Sequence, residues 1–300
     1  MDLSAALRVF LRTVERGSMT GAGEDLSLSQ PAVSKHLANL ERHVQARLFE
    51  RSSRAVRPTL AGQALYERSR SALAELDAAI EGVRLDQGRI EGSLRIHAPS
   101  CVGARAIHPI VMGYRDSHPD VAVTLILENR SVDLIYENFD LAIRYGRPDV
   151  QDLVVRRLGL VQRVLAASPG FLAAHGSLET IEQLQAVPLV VSSNVLTPRG
   201  ALSLSQGKQR LEVDVSPSIH TNDANVIAQT LLSGHAAGPV QTLLVNDALA
   251  DGRLVRILPR YEVKPAEMFL AYPSLRYMRS VVRSFADELA GQLARIDGIA

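Results

Sequence analysis

The residues with the clearest chemical capability lie between Leu26 and Thr59, in the run LSLSQPAVSKHLANLERHVQARLFERSSRAVRPT. Ser29 can cap a helix, because its hydroxyl can accept an otherwise unpaired N–H of the first turn. Gln30 and Pro31 fill early helical positions, where a missing N–H costs little. Val33, Leu37, Leu40 and Val44 follow at spacings of four, three and four, which puts them on one helical face that has to be buried. The opposite face carries Pro31, Lys35 and Asn39, with Ser34 at its edge. A short polar and basic face beginning at a capped N-terminus suits insertion into the major groove of double-stranded DNA. Gln30, Pro31, Ser34 and Lys35 are the candidates to approach base edges, and the helix start at Ser29 and Gln30 is the candidate to hold phosphate. Beyond the helix, Arg51, Arg54 and Arg57 occur with no acid between them. They read as a hairpin wing gripping phosphate or entering an adjacent minor groove.

A second set of candidates sits at four expected strand ends: Ser100 and Cys101, Asn129 and Ser131, Ser192 and Asn194, and Thr221 and Asn222. Ligands of open α/β sheets bind outside the carboxyl ends of strands. Helix N-termini there offer free N–H groups and partial positive charge. Several such ends aimed at one cleft predict a small organic anion, a carboxylate or similar acid, as ligand. Arg144 is expected to pair with a nearby acid, and Asp223 to cap a helix. Pro239 and Gln241, in the GHAAGPVQ run, are expected to shape the pocket wall. Cys101 is the chain's single cysteine. A two-cysteine switch is therefore excluded within the chain, and a small pocket-lining residue is the better reading. The eight histidines show no metal-ligand spacing: His36 and His43 are seven apart, too far to share a metal on one helix face. No metal and no cofactor is expected. No nucleophile, base and orienting group stand in a recognisable set, so the chain is not expected to be an enzyme.

These residues need elements to position them. Leu3–Arg16, with Leu7, Phe10 and Val14 inward, predicts a first helix, and Ser18–Leu26 a short second one. With Ser29–Val44 and the wing they make a winged helix-turn-helix over residues 1–58. That stretch holds nine basic and six acidic groups, an excess small enough that DNA binding must rest on placement and on dimerisation. From Thr59 to about Asp86, Leu65, Ala72, Leu76, Ala79 and Val83 form a narrow apolar seam on one long helix, flanked by Leu73 and Ile80. The helix at 59–88 is expected to dimerise with a second copy in coiled-coil fashion. From Gly92, strand and helix patterns alternate, which predicts an α/β domain with a mainly parallel sheet. This domain spans 89–300. Its first lobe is about 92–162 and 266–300, with a short helix at Ser131–Glu137. Its second lobe, about 163–265, joins by two crossings that make a hinge and a cleft. A length of 300 residues and a 46% apolar composition support several cored domains. No run approaches the ~20 apolar residues of a bilayer span, and no signal-type segment opens the chain. The expectation is a cytoplasmic protein with no membrane partner.

The order of these parts resembles the LysR-type transcriptional regulators. The resemblance rests on Leu3–Arg16, on GSMTGAGEDLSLSQPAVSKHLANLE and on ARLFERSSRAVRPTLAG. The remaining two-thirds resembles that family's periplasmic-binding-protein-like effector domain. Gly21 and Gly23 stand where the family usually has alanine, each costing about 1 kcal/mol of helix propensity. The resemblance implies an operator with dyad symmetry, a homodimer or homotetramer, an inducer in the cleft, and RNA polymerase as partner of an activator. The competing reading is an α/β enzyme or solute-binding protein using the same cleft, with the N-terminal helices as a dimerisation arm.

Overall fold

The computed structural model describes residues 2–50, 56–85, 90–148, 153–273 and 278–299. Arg51 and Arg54 lie outside the described residues. Three helices open the chain: α1 (Leu3–Arg16), α2 (Met19–Leu26) and α3 (Gln30–Val44). Each begins at a side-chain cap, from Asp2, Ser18 and Ser29 respectively. Ala6, Val9, Phe10, Val33, Leu37, Leu40, Leu48 and Phe49 form one core. Val44 was expected on that inner face but stays 36% exposed, because α3 ends there and Gln45 turns left-handed (φ 53°). Gly23 is required by close approach: a Cβ there would lie 2.6 Å from the Leu28 carbonyl oxygen. Its propensity cost therefore comes with the tight turn into α3.

α4 (Leu60–Leu85) follows. Tyr66, Ser69 and Leu73 are buried, Tyr66 and Leu73 within the helix-turn-helix core. Ala72, Leu76 and Ala79 are exposed beside that buried stripe. The expected seam is thus split. Leu65 and Leu73 serve the chain's own core, while Ala72, Leu76 and Ala79 face outward.

The first lobe contains β1 (Gly92–Ala98), the helical run α5 (Ser100–Val102), a π turn at Gly103–Ile107 and α6 (His108–Ser117), then β2 (Val121–Leu127), β3 (Leu141–Tyr145) and β4 (Leu153–Val161). The second lobe contains β5 (Arg163–Ala167), α7 (Pro169–His175), α8 (Ile181–Gln185), β6 (Val190–Ser192), β7 (Ala201–Gln206), β8 (Gln209–Asp214), β9 (Ile219–Thr221), α9 (Ala224–Leu232), β10 (Gly238–Gln241), α10 (Thr242–Ala250), β11 (Val255–Arg256) and β12 (Glu262–Val263). β13 (Ala266–Pro273) and α11 (Ser280–Leu293) return to the first lobe.

The first-lobe sheet runs β2-β1-β3-β13-β4. β1 is parallel to β2 and β3, but β13 is antiparallel to both β3 and β4. The sheet is therefore mixed rather than mainly parallel, because the strand returning from the second lobe enters from the opposite end. In the second lobe β10-β5-β11 is joined to β6-β9 by the bridge of Leu189 to Ala237. Gly238 allows that junction, since a Cβ would lie 2.2 Å from the Val190 carbonyl oxygen. Each lobe has its own apolar cluster.

Ser131–Glu137 is a set of turns, not the expected helix. Asp133 Oδ1 accepts from the N–H groups of Ile135 (3.0 Å) and Tyr136 (2.9 Å). A side chain that offers such local bonds competes with the helical ladder.

Candidate DNA-binding and effector sites

On α3, Ser29 Oγ accepts from the Ala32 N–H at 3.4 Å. Ser29, Gln30, Pro31, Ser34 and Lys35 are all exposed, while Val33 and Leu40 are fully buried beneath them. α3 is tied to the wing by Glu41, whose Oε1 accepts from the N–H groups of Leu48 (2.7 Å) and Phe49 (3.4 Å). The wing's base is a two-stranded contact: Phe49 bridges Pro58, and the Glu50 N–H donates to the Arg57 carbonyl at 2.8 Å. Arg57 is exposed at that base, on the rim of a groove that also holds Tyr66, Arg70 and Ser131. The N-terminus of α3 and Arg57 therefore present a polar, basic surface over an apolar core.

The cleft between the lobes gathers residues from distant segments. Cys101, Asn129, Ser192, Asn194 and Asn222 line it together with Tyr145, Arg163, Ile227, Pro239 and Gln241. The enclosed volume is about 30 Å³, room for one or two waters. Three of the expected candidates do not line the cleft. Ser100 gives its backbone N–H to Asn129 Oδ1 at 3.0 Å. Thr221 Oγ1 accepts from the Asp223 N–H at 3.1 Å. Ser131 lies outside the cleft, because the chain turns at Asn129 and passes over the outer face of the sheet to the interdomain groove.

At three of the four expected helix starts one N–H already has a side-chain partner. Besides Ser100, the Asn194 N–H donates to Ser192 Oγ at 3.2 Å and the Asn225 N–H to Asp223 Oδ1 at 2.7 Å. The positive character of the cleft instead comes from Arg163, which the sequence reading passed over. It is 8% exposed, and its Nη1 donates to the Lys264 carbonyl at 2.9 Å. Burial pulls its pKa down, partly offset by Tyr145 and Cys101. The available signal was a charge opening the otherwise apolar strand RVLAA at the lobe crossing. A buried guanidinium bonded to a neutral carbonyl favours an arriving anion.

Cys101 belongs to a polar triad: its Sγ lies 3.1 Å from Gln241 Oε1 and 3.2 Å from Tyr145 Oη. Burial pushes its thiol pKa up, against the lowering by the Tyr145 hydrogen bond. Its place at a helix start therefore does not make it a reactive thiolate. Arg144 points to the other face of the sheet, into the interdomain groove. The expected ion pair is absent at its Nε and Nη2, which are buried without a partner.

Comparison with known proteins decides what this arrangement belongs to. Residues 4–63 match the bacterial regulatory helix-turn-helix protein, lysR family, and residues 87–294 match the LysR substrate binding domain. The chain belongs to the LysR family of transcriptional regulators. It is a DNA-binding regulator with an effector-binding domain, and its relatives are regulators rather than enzymes. The HTH-type transcriptional regulator PtxR of Pseudomonas aeruginosa is 30% identical over 289 residues, covering 96% of this chain and 92% of that protein. The HTH-type transcriptional activator TtdR of Escherichia coli is 26% identical, covering 96% and 93%. The fold is also that of the full-length Vibrio cholerae virulence activator AphB (TM-score 0.62, 24% identity, 97% and 99% covered) and of ArgP from Mycobacterium tuberculosis (TM-score 0.66, 19% identity, 96% of each). Among the described residues no helix of this regulator is long and apolar enough to cross a membrane.

Proposed function

We propose that this LysR-type regulator binds a dyad-symmetric operator and that a small organic anion, a carboxylate or similar acid, modulates that binding from the cleft. The observation that carries the reading is Arg163, a buried cation on the cleft wall bonded to a backbone carbonyl. A carboxylate seated there would take charge-assisted bonds from the guanidinium. Tyr145, Gln241 and the amides of Asn129, Asn194 and Asn222 would set its orientation. Because the cleft has room for only one or two waters, a larger acid would select a more open arrangement of the lobes, a population shift driven by differential affinity.

At the DNA, Gln30, Pro31, Ser34 and Lys35 read base edges, and the Ser29 helix start with Arg51, Arg54 and Arg57 holds phosphate or the minor groove. The outward residues Ala72, Leu76 and Ala79 of α4 meet a second copy, so that two reading heads span two half-sites. The assembly is a cytoplasmic dimer or tetramer, and RNA polymerase is its partner where it activates.

The test is footprinting on the intergenic DNA upstream of its own gene, across a salt series with random duplex as competitor. A dyad-symmetric protected site that survives competition is the expected result. Loss of all preference at raised salt would reduce the claim to phosphate electrostatics. Lys35→Ala with Arg54→Ala should weaken the footprint; unchanged affinity would place the reading head elsewhere. A thermal-shift panel of small carboxylates, amines and neutral analogues tests the ligand class, and stabilisation by amines alone would overturn the anion reading.

A further inference from the structure

One segment touches both sites. Residues 129–140 leave the cleft, cross the outer face of the first-lobe sheet and reach the DNA-binding domain. At the cleft end, Asn129 holds both lobes: Oδ1 accepts from the Ser100 N–H at 3.0 Å, and Nδ2 donates to Asp223 Oδ2 of the second lobe at 3.1 Å. The next residue, Arg130, folds the segment back on itself. Its Nε donates to Glu128 Oε2 at 2.6 Å, and Nη1 and Nη2 donate to the two carboxylate oxygens of Glu137. Bidentate guanidinium–carboxylate geometry is the stiff form of an ion pair. Glu137 Oε1 also accepts from the Asp133 N–H at 3.1 Å. Val132, Leu134 and Phe139 are buried against Ala142 and Ala271 of the sheet, which gives the segment one continuous apolar underside.

At the far end it meets α1. Turned to satisfy both groups, the Asn138 amide oxygen accepts from Arg12 Nη1 and Nη2 at 2.5 and 2.8 Å. Arg12 in turn lies 3.6 Å from Asp25 of α2. Tyr136 Oη sits 3.5 Å from where a Cβ of Gly17 would be, at the α1 C-cap. The segment closes on Asp140, whose carboxylate accepts from the Arg95 N–H at 2.8 Å and from Arg279. We propose that residues 129–140 are a strap that transmits opening of the cleft to the DNA-binding domain of the same chain, with Arg130 as the positioning residue that makes its two ends move together.

When the lobes part, the Asn129–Asp223 bond breaks and Asn129 keeps only its first-lobe partner, Ser100, so that its side chain can shift. The Arg130–Glu137 clamp carries that shift to the turn holding Tyr136 and Asn138. The contact with Arg12 and Gly17 then changes the seat of α1, and through the shared core the seat of α3. Such coupling needs a two-state element that both sites bias, and the interlobe bond supplies it.

The proposal rests on the regulator reading for its consequence at DNA, but its geometry is independent of it. The test is a double-mutant cycle on the full-length protein with Asp223→Ala, which frees the cleft end, and Arg130→Gln, which opens the clamp. The readouts are affinity for the upstream intergenic duplex and amide hydrogen exchange. The expected result is that Asp223→Ala changes DNA affinity at least threefold and speeds exchange in both 131–139 and 3–17. In the Arg130→Gln background it should leave affinity and the 3–17 peptides unmoved. Additive effects within 1.5-fold, with 3–17 exchange indifferent to Asp223→Ala in the parent, would overturn the strap. If the duplex is not bound at all, the regulator reading fails and the exchange of 3–17 still decides the strap. Asn138→Ala serves as the second variant: it should abolish the transmitted effect while leaving the cleft bond intact.

Discussion

The proposed DNA-reading head and the proposed effector cleft are built in opposite ways. The head is contiguous: one capped helix supplies Gln30, Pro31, Ser34 and Lys35 from its exposed side, and a single small core supports them. The cleft is assembled from several strand ends and crossings, so Cys101, Asn129, Arg163, Asn222 and Gln241 meet only because two lobes fold against each other. A contiguous site announces itself by periodicity and capping. A composite one stays hidden until its lobes fold, and here it includes Arg163, the only buried cation on the cleft wall among the described residues.

The sharpest way to separate the two regions is to damage the bed of one. Leu40→Ala, at a fully buried position, should cost the DNA-binding domain about 2–5 kcal/mol and abolish operator binding. Acid binding in the cleft should survive. Denaturant unfolding and ligand titration of the same variant would show it, and loss of both activities together would contradict the separation.

The boundary between the regions carries its own pH signature. Glu15 on α1 has an 11% exposed side chain. Burial pushes its carboxyl up to about 7, against the lowering by Arg12, Arg70 and the Tyr66 hydrogen bond. Tyr66 beside it is raised to about 12, chiefly by burial. With the folded pKa above the unfolded 4.5, the native state binds the extra proton between these values. Stability should therefore be greatest below pH 4.5 as far as this group is concerned, fall as pH rises to 7, and be flat above it. The total is at most about 3 kcal/mol. Glu15→Gln should flatten that slope in unfolding curves taken at pH 5, 6, 7 and 8, and an unchanged slope would remove Glu15 as its source.

In the cleft, Arg163→Met keeps the packing of the stem and removes the charge. An acid held at about 100 times its Kd stabilises the parent by about 2.7 kcal/mol, and this gain should disappear in the variant. Stability without ligand should not fall, because an unpaired buried cation is itself costly. Retained stabilisation by the acid would move the anion site away from Arg163. The smallest effect returns to the reading head: Ser29→Ala removes a long 3.4 Å cap bond. The expected loss is about 0.5 kcal/mol, the low end for N-caps, with DNA affinity lowered only slightly.

Much of the architecture is legible in the sequence. α1, α2, α3 and α4 begin and end within a residue or two of their expected bounds, because caps, helical spacing and glycine or left-handed stops are local signals. Most first-lobe strands were legible for the same reason, alternation being readable two residues at a time. Ser131–Glu137 is not a helix, because Asp133 captures the N–H groups of Ile135 and Tyr136, which nothing in its spacing reveals. The antiparallel entry of β13 was equally hidden, because direction within a sheet depends on where a returning strand arrives.

What the sequence by itself determined is the set of elements and the face each one buries: the capped α3 with its polar side, the long α4, and the α/β alternation with small polar residues at strand ends. Tertiary structure decided which of those strand ends meet, that one N–H at three of them is taken by Asn129, Ser192 or Asp223, and that Arg163 is buried on the cleft wall. The physical reason is range. Caps and periodicity act over three or four residues, whereas the burial of one guanidinium depends on two lobes closing over it from segments more than a hundred residues apart.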